Sequence, residues 1–510
     1  MKIIAKILVF VLTTLLFSCG VSKSIKHQPE ISQYNQEIPV VIKNSDSTFI
    51  YKNNFLTKNK QQLWELYVSG DALQRGLITG SLTSHLIQKQ ERVFLSKIQE
   101  IIPSKFKQNL LRQFLKWYNR KLYLHVPEEY KAEIYGVSQY ASDDFNSIAP
   151  KYLRNLYLHG AHDIGHALQD LALVGCSSMA VWGDKTDDGS LLIGRNFDFY
   201  AGDEFAEDKV IAFVTPEKGY SYMSVTWGGM IGVVSGMNVE GLTITINAGK
   251  SEIPLVAKTP ISILAREILQ YAKNIEEAIA IAKSKEVFVS ESIMIGSASD
   301  KRAVLIEVSP EKFGIYEVQN NNQLICSNHF QSDTYLTDKR NLNHIEESHS
   351  KYRFERMKEL LDAENKMTPT KMANILRNKE GLNDAKIGYG NEKALNQLLA
   401  HHAVIFSPEK LMVWVSSNPY QLGEFVAYDL NEIFIKKNNS IFELQSATSN
   451  IPKDDFITTN EFKKYEQYRI NDRIIDEAIV SKKVVKRSFI EEYQASNPDN
   501  WIVYYKIGKY

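Results

Sequence analysis

The sequence predicts an α+β protein, a helical N-terminal stretch leading into a strand-rich sandwich of layers. Three observations predict it. Over residues 60–170 the apolar positions recur at helical spacing, as in Leu95, Ile98, Ile101 and Ile102, then Leu110, Leu111, Phe114, Leu115 and Tyr118. From Ser178 to Tyr428 short runs rich in β-branched and aromatic residues take over, bounded by turn residues. Two amphipathic segments, 259–284 and 351–377, interrupt those strands and suit helices packed on a sheet. The texture changes at Gly175-Cys176-Ser177-Ser178.

Residues 1–18 read as a targeting segment. Lys2 and Lys6 precede an apolar run, Ile7 to Leu16, that is too short for a stable membrane span. Leu16-Phe17-Ser18-Cys19 resembles a bacterial lipobox, so Cys19 is the expected lipidation site. The expected location is the cell envelope, lipid-anchored to a bacterial membrane on the periplasmic face or the cell surface. Residues 19–48 are polar and read as a tether. Residues 49–175 read as a helical region. Within it, Gly70, Gly76 and Gly80 have the spacing that lets another element approach closely.

After Cys176, Ser178–Trp182 and Leu191–Ile193 flank the turn Asp187-Asp188-Gly189-Ser190 and read as a hairpin. Further strands are expected at 210–215, 222–227, 232–235, 242–246, 292–295, 303–308, 313–318, 324–327, 411–415 and 425–428. These close a domain over 176–435. Residues 436–510 are charged and helical and read as an appendage. Its end, Asn497 to Gly508, looks like the opening helix of a tetratricopeptide repeat, and one helix is not an array.

Composition narrows the function. Sixty basic side chains balance sixty acidic ones, and no basic stripe points to nucleic acid. Besides Cys19 only Cys176 and Cys326 remain, too few for a disulfide scaffold, although they could form one bridge. His162 and His166 have the spacing of helical metal ligands but lack a third partner, so no metal and no cofactor are expected. Taken alone, Cys176 reads as a buried structural thiol and Asp198 as a turn residue.

Their order argues otherwise. Gly175-Cys176, Gly194-Arg195-Asn196-x-Asp198, Gly236-Met237-Asn238-x-x-Gly241-Leu242 with Asn247, Ser327-Asn328 and Ser350-x-x-Arg353 follow one another along the chain. The set resembles the choloylglycine hydrolase and penicillin acyltransferase branch of N-terminal-nucleophile hydrolases, over about residues 60–435. The long segment ahead of the cysteine looks closer to the acyltransferase side, the self-cleaving C45 peptidases. The resemblance implies an αββα sandwich and autocleavage between Gly175 and Cys176. It assigns Cys176 as nucleophile, Arg195 and Asp198 as its partners, Asn247 and Asn328 to the oxyanion, and Arg353 to support. Asn238 stays open as an alternative to Asn247.

The chemistry is self-consistent. A thiol attacks as thiolate, a neighbouring Arg favours that form, and a terminal α-amine with a pKa of roughly 7.7–8.0 can take the proton. The substrate is then a linear acyl amide, a thioester or an ester, with water or an amine as acceptor. The two chains from the cut are expected to stay associated, the helical half lacking a sheet of its own. A phospholipase B-like or ceramidase-like lipid hydrolase is the close alternative. An inactive surface-binding lipoprotein is the distant one.

Overall fold

The computed structural model describes residues 20–160, 163, 175–199, 202–252, 256–435 and 444–510. Residues 1–19, with the expected lipidation site Cys19, and His162 and His166 lie outside the described residues. The strands are β1 Ile42–Ser45, β2 Thr48–Tyr51, β3 Asn54–Lys58, β4 Trp64–Gly70, β5 Ser177–Val181, β6 Leu192–Phe197, β7 Val210–Pro216, β8 Tyr222–Thr226 and β9 Ser235–Asn238. They continue as β10 Leu242–Ala248, β11 Glu291–Ser297, β12 Arg302–Val308, β13 Phe313–Tyr316, β14 Gln323–Cys326, β15 His402–Ser407, β16 Met412–Ser416 and β17 Phe425–Asp429. The helices before Cys176 are α1 Ala72–Leu82, α2 Ser84–Ile101, α3 Lys105–Tyr118, α4 Glu128–Ser138 and α5 Lys151–His159. Those after it are α6 Asp203–Glu207, α7 Ile261–Tyr271, α8 Ile275–Lys283, α9 Lys339–Glu347, α10 Ser350–Ala363, α11 Pro369–Leu376, α12 Asn460–Ser481, α13 Arg487–Ser496 and α14 Trp501–Lys509.

Two sheets stack. One has eleven strands in the order β1-β2-β3-β4-β7-β8-β9-β10-β11-β12-β13, and the other has six, β14-β5-β6-β15-β16-β17. Neighbours are antiparallel except β4 and β7, which run parallel from Trp64↔Val210 to Gly70↔Pro216. Ile193, Phe213, Met223, Met294, Leu305 and Val404 fill the space between the sheets. Helices α7 and α8 cover the outer face of the larger sheet through Leu264, Ile268 and Ala278. Helices α10 and α11 cover the smaller one through Met357, Leu361, Met372 and Leu376. The order is therefore helix, sheet, sheet, helix: the αββα sandwich. Among the described residues no helix is long and apolar enough to cross a membrane.

The glycine spacing has the expected consequence. A Cβ at Gly76 would lie 2.1 Å from the Glu133 carbonyl oxygen, and one at Gly136 would lie 2.9 Å from Gly76 Cα. Helices α1 and α4 therefore meet backbone to backbone. Each broad helical segment divides where a cap stops it. Asn274 accepts from Glu277 N–H to start α8, and Thr368 caps α11 with Pro369 in its first turn.

Three expectations need correction. Residues 20–48 are not simply a tether: 20–26 are helical and Ile42–Ser45 forms the sheet edge. The region from 49 is not helical at its start but a meander, β2 to β4, that joins the larger sheet. The N-terminal half thus supplies sheet rather than lacking it. Strand β15, which has no place among the expected strands, sits at the centre of the smaller sheet, pairing with β6 and β16.

Candidate active site

The site is built on the β5–β6 hairpin. Its turn is closed by Asp188, which accepts from Ser190 N–H, and by Gly189 at φ +80°. The register sets Ser177 against Asn196 and Ser178 against Arg195, so Cys176 and Asp198 emerge together at the open end. There Gly175 N–H donates to the Asp198 carbonyl at 3.4 Å. Strand alternation aims Arg195 between the sheets and Asn196 outwards. Asn196 donates to the Leu376 and Leu395 carbonyls, which anchors the end of α11.

Arg195 is fully buried and bridges the two sheets. It donates to the Val234 carbonyl at 2.8 Å, to Ser235 Oγ and to the Ile246 carbonyl, and its Nη2 lies 3.8 Å from Cys176 Sγ. Its guanidinium lies over the Phe197 ring, 4.4 Å from the centroid. Burial pushes the Cys176 thiol up to about 11, and Arg195 opposes that shift. Burial also raises the Asp198 carboxyl to about 7, with Arg353 and Arg195 pulling it back.

The remaining predicted residues join one buried network. Asn247, on β10, accepts from Ser178 Oγ at 2.8 Å and reaches the Cys326 and Ser327 carbonyls at 3.3 and 3.4 Å. Asn328 donates to the Ala248 carbonyl at 3.0 Å and accepts from Arg353 Nη2 at 2.7 Å. Arg353, on α10, also donates to the Glu392 carbonyl. Asn238 is elsewhere: its amide donates to the Leu269 and Ala272 carbonyls and accepts from Glu240 and Leu242 N–H. Its amide N–H groups serve the end of α7 and its oxygen the β9–β10 turn, so Asn238 stands apart from the network that holds Asn247 and Asn328. Cys176 and Cys326 are both free and buried, with no bridge between them.

Sequence reasoning missed several residues here. Gln397 Nε2 lies 3.4 Å from the Gly175 carbonyl oxygen. A Cβ at Gly175 would lie 2.1 Å from that nitrogen. Glu291 is fully buried, its carboxyl driven well above the usual range by desolvation and by Asp163. A carboxylate inside the apolar run Val287–Ile295 was a legible signal. His402 Nε2 meets Ser235 Oγ at 2.9 Å, and His401 Nδ1 meets His402 Nδ1, extending the Arg195 network. Gln397 also lines a cavity of about 1070 Å³ between α2, α6 and α12. Among the described residues no His, Cys, Asp or Glu cluster could hold a metal.

Residues 184–418 match the family model described as acyl-coenzyme A:6-aminopenicillanic acid acyl-transferase. The match includes Arg195, Asp198, Asn247, Asn328 and Arg353 and begins just after Cys176. An uncharacterized protein of Archaeoglobus fulgidus is 25% identical over 49% of this chain and 44% of its own. Protein dcd1B of Dictyostelium discoideum is 22% identical over 56% of this chain and 57% of its own. The chain thus spans about half the length of these curated relatives. Among solved structures, a Caenorhabditis elegans N-acylethanolamine-hydrolyzing acid amidase ortholog shares 16% identity at a TM-score of 0.35. That alignment covers 46% of this chain and 93% of the other.

Proposed function

We propose, on the premise that residues 184–418 belong to the acyl-coenzyme A:6-aminopenicillanic acid acyl-transferase family, that this protein cleaves itself before Cys176 and then hydrolyses linear acyl amides. The observation that carries the reading is the peptide bond between Gly175 and Cys176. Its thiol side faces Arg195 and its carbonyl side faces Gln397.

Self-cleavage begins when Sγ attacks the Gly175 carbonyl carbon. Asp198, raised to about 7 by burial, is matched to accept the thiol proton near neutrality. Gln397 donates to the developing oxyanion. The C–N bond breaks as the amide nitrogen takes the proton, leaving a thioester and a free Cys176 amine. Water then attacks the thioester carbon, releasing the Gly175 carboxylate and restoring the thiol.

The same parts then act on substrate. The new α-amine takes the thiol proton, Arg195 stabilises the thiolate, and Asn247 is the donor proposed for the substrate oxyanion. Asn328, held by Arg353, fixes the wall beside it. The polar cavity that reaches Gln397 supports water as acceptor. The residues 20–175 and 176–510 would stay together after the cut. In support, β4 pairs with β7 along its whole length. Asp163 accepts from Ile261 N–H at 2.7 Å, and Glu133 on α4 binds both Arg75 and Arg266.

The test is acyl-enzyme trapping. The purified protein is mixed briefly with N-acyl amino acids, quenched in acid and weighed. The 176–510 chain should gain one acyl group, absent in Cys176→Ala. Acyl transfer from phospholipid but from no amide would instead favour the lipid-hydrolase alternative.

A further inference from the structure

We infer that the elbow between α2 and α3 is a docking surface for an anionic lipid bilayer. Among the described residues helix α3 is held mainly through its last turn: of its fourteen residues only Tyr118 is buried. Phe106, Leu110 and Phe114 recur every four residues and form one exposed stripe. Phe106 is 77% exposed and Leu110 63%. Ile98 and Ile101, in the last turns of α2, add two more exposed apolar side chains beside the elbow. A helix that only needed to stay dissolved would not carry a phenylalanine this exposed.

The charge around the stripe names the partner. Helix α3 carries Lys105, Lys107, Arg112 and Lys116 and no acidic residue. Glu100, between Ile98 and Ile101, is paired with Lys97, and along α3 itself the apolar stripe is flanked by cations alone, the pattern of a helix lying in an anionic interface. Trp117, half-buried at the end of α3, is a residue type that favours the headgroup level.

The path of the chain points the same way. Gly20 packs against Arg120, where an added Cβ would lie 3.3 Å from Arg120 Cδ. Residue 20 therefore lies just beyond the C-terminal end of α3, on the Phe114 side of the stripe and about 20 Å along the helix from the elbow. A second copy of the chain fits less well. Two α3 helices face to face would oppose their cations, and five apolar side chains fall far short of the roughly 20–30 residues a side of a stable interface.

The test uses residues 20–510 without lipid, so it depends neither on lipidation at Cys19 nor on activity. Vesicles of phosphatidylethanolamine with phosphatidylglycerol are sedimented with the protein, beside vesicles of phosphatidylcholine. Binding to the anionic vesicles is expected, weakened by salt and reduced about tenfold or more in Phe106→Glu/Leu110→Glu. Both side chains are exposed, so the variant keeps its thermal midpoint. Equal binding by the variant, or equal binding to phosphatidylcholine, overturns the inference. So does a dimer in sedimentation velocity that the variant abolishes, which would assign the stripe to a second copy.

Discussion

Alanine at position 175 separates the chemistry of self-cleavage from the stability of the fold. Gly175 is not in the left-handed region, so alanine meets no backbone strain there. Its Cβ, however, would lie 2.1 Å from Gln397 Nε2, 3.0 Å from Cδ and 3.1 Å from Oε1. Atoms that do not bond cannot sit that close, and the Gln397 amide is the free end of a flexible side chain. It must swing away by more than an ångström, and the 3.4 Å approach to the Gly175 carbonyl is then lost. Removing one oxyanion donor typically slows acyl chemistry by about 10²–10³, while rotating a side-chain end costs about 1 kcal/mol or less. Gly175→Ala should therefore cut itself about 10²–10³ more slowly with an almost unchanged thermal midpoint. Gln397→Met, which keeps the volume and removes the donor, should match it, and the double variant should be no slower than either. The assay is the disappearance of full-length chain after cell-free synthesis, followed on denaturing gels. Cleavage of Gly175→Ala at the wild-type rate would refute the reasoning.

Other perturbations test other parts. Glu133→Ala leaves Arg75 and Arg266 buried and facing one another without their shared carboxylate. It should cost about 3–5 kcal/mol in denaturant unfolding and loosen the two halves after cleavage, read by gel filtration. Asn247→Ala should lower kcat about 10²–10³ with KM little changed, as expected of an oxyanion donor. Asn238→Ala should instead destabilise by about 1–3 kcal/mol, because the Leu269 and Ala272 carbonyls lose their donor. The self-cleavage rate should rise with pH up to about 7, as Asp198 loses its proton and becomes a base, and then level off. A rate climbing tenfold per pH unit well past 8 would mean attack by thiolate formed against the thiol pKa of about 11, without Asp198.

Whatever local chemistry dictated was legible in the chain. The Asp188-Gly189 turn, the alternation of β5 and β6, and the helices covering the two sheets are all short-range patterns. So was the ordered series from Cys176 to Arg353, which the fold, Asn238 apart, gathers around one buried network. The first four strands were harder to see. Strand β1 is an exposed edge of four residues, Ile-Lys-Asn-Ser, with no apolar period. Strand β4 is held by β7, whose partner residues lie far along the chain. Strand β15, at the centre of the smaller sheet, is buried throughout and so has none of the alternation that marks a half-exposed strand. Gln397 left no trace because its contact with Gly175 spans 222 residues and begins in a loop. Asn238 misled for a related reason: an asparagine that bonds two distant carbonyls looks, in sequence, like any catalytic amide.

The central claim is that Cys176 cuts the bond before it, and intact-mass analysis of purified residues 20–510 beside Cys176→Ala tests it most directly. Two fragments dividing between Gly175 and Cys176, with the variant uncut, are the predicted result. A wild-type chain of full mass, with the Gly175 acyl group still on the Cys176 nitrogen, would contradict the account, because no free α-amine would then stand beside the thiol.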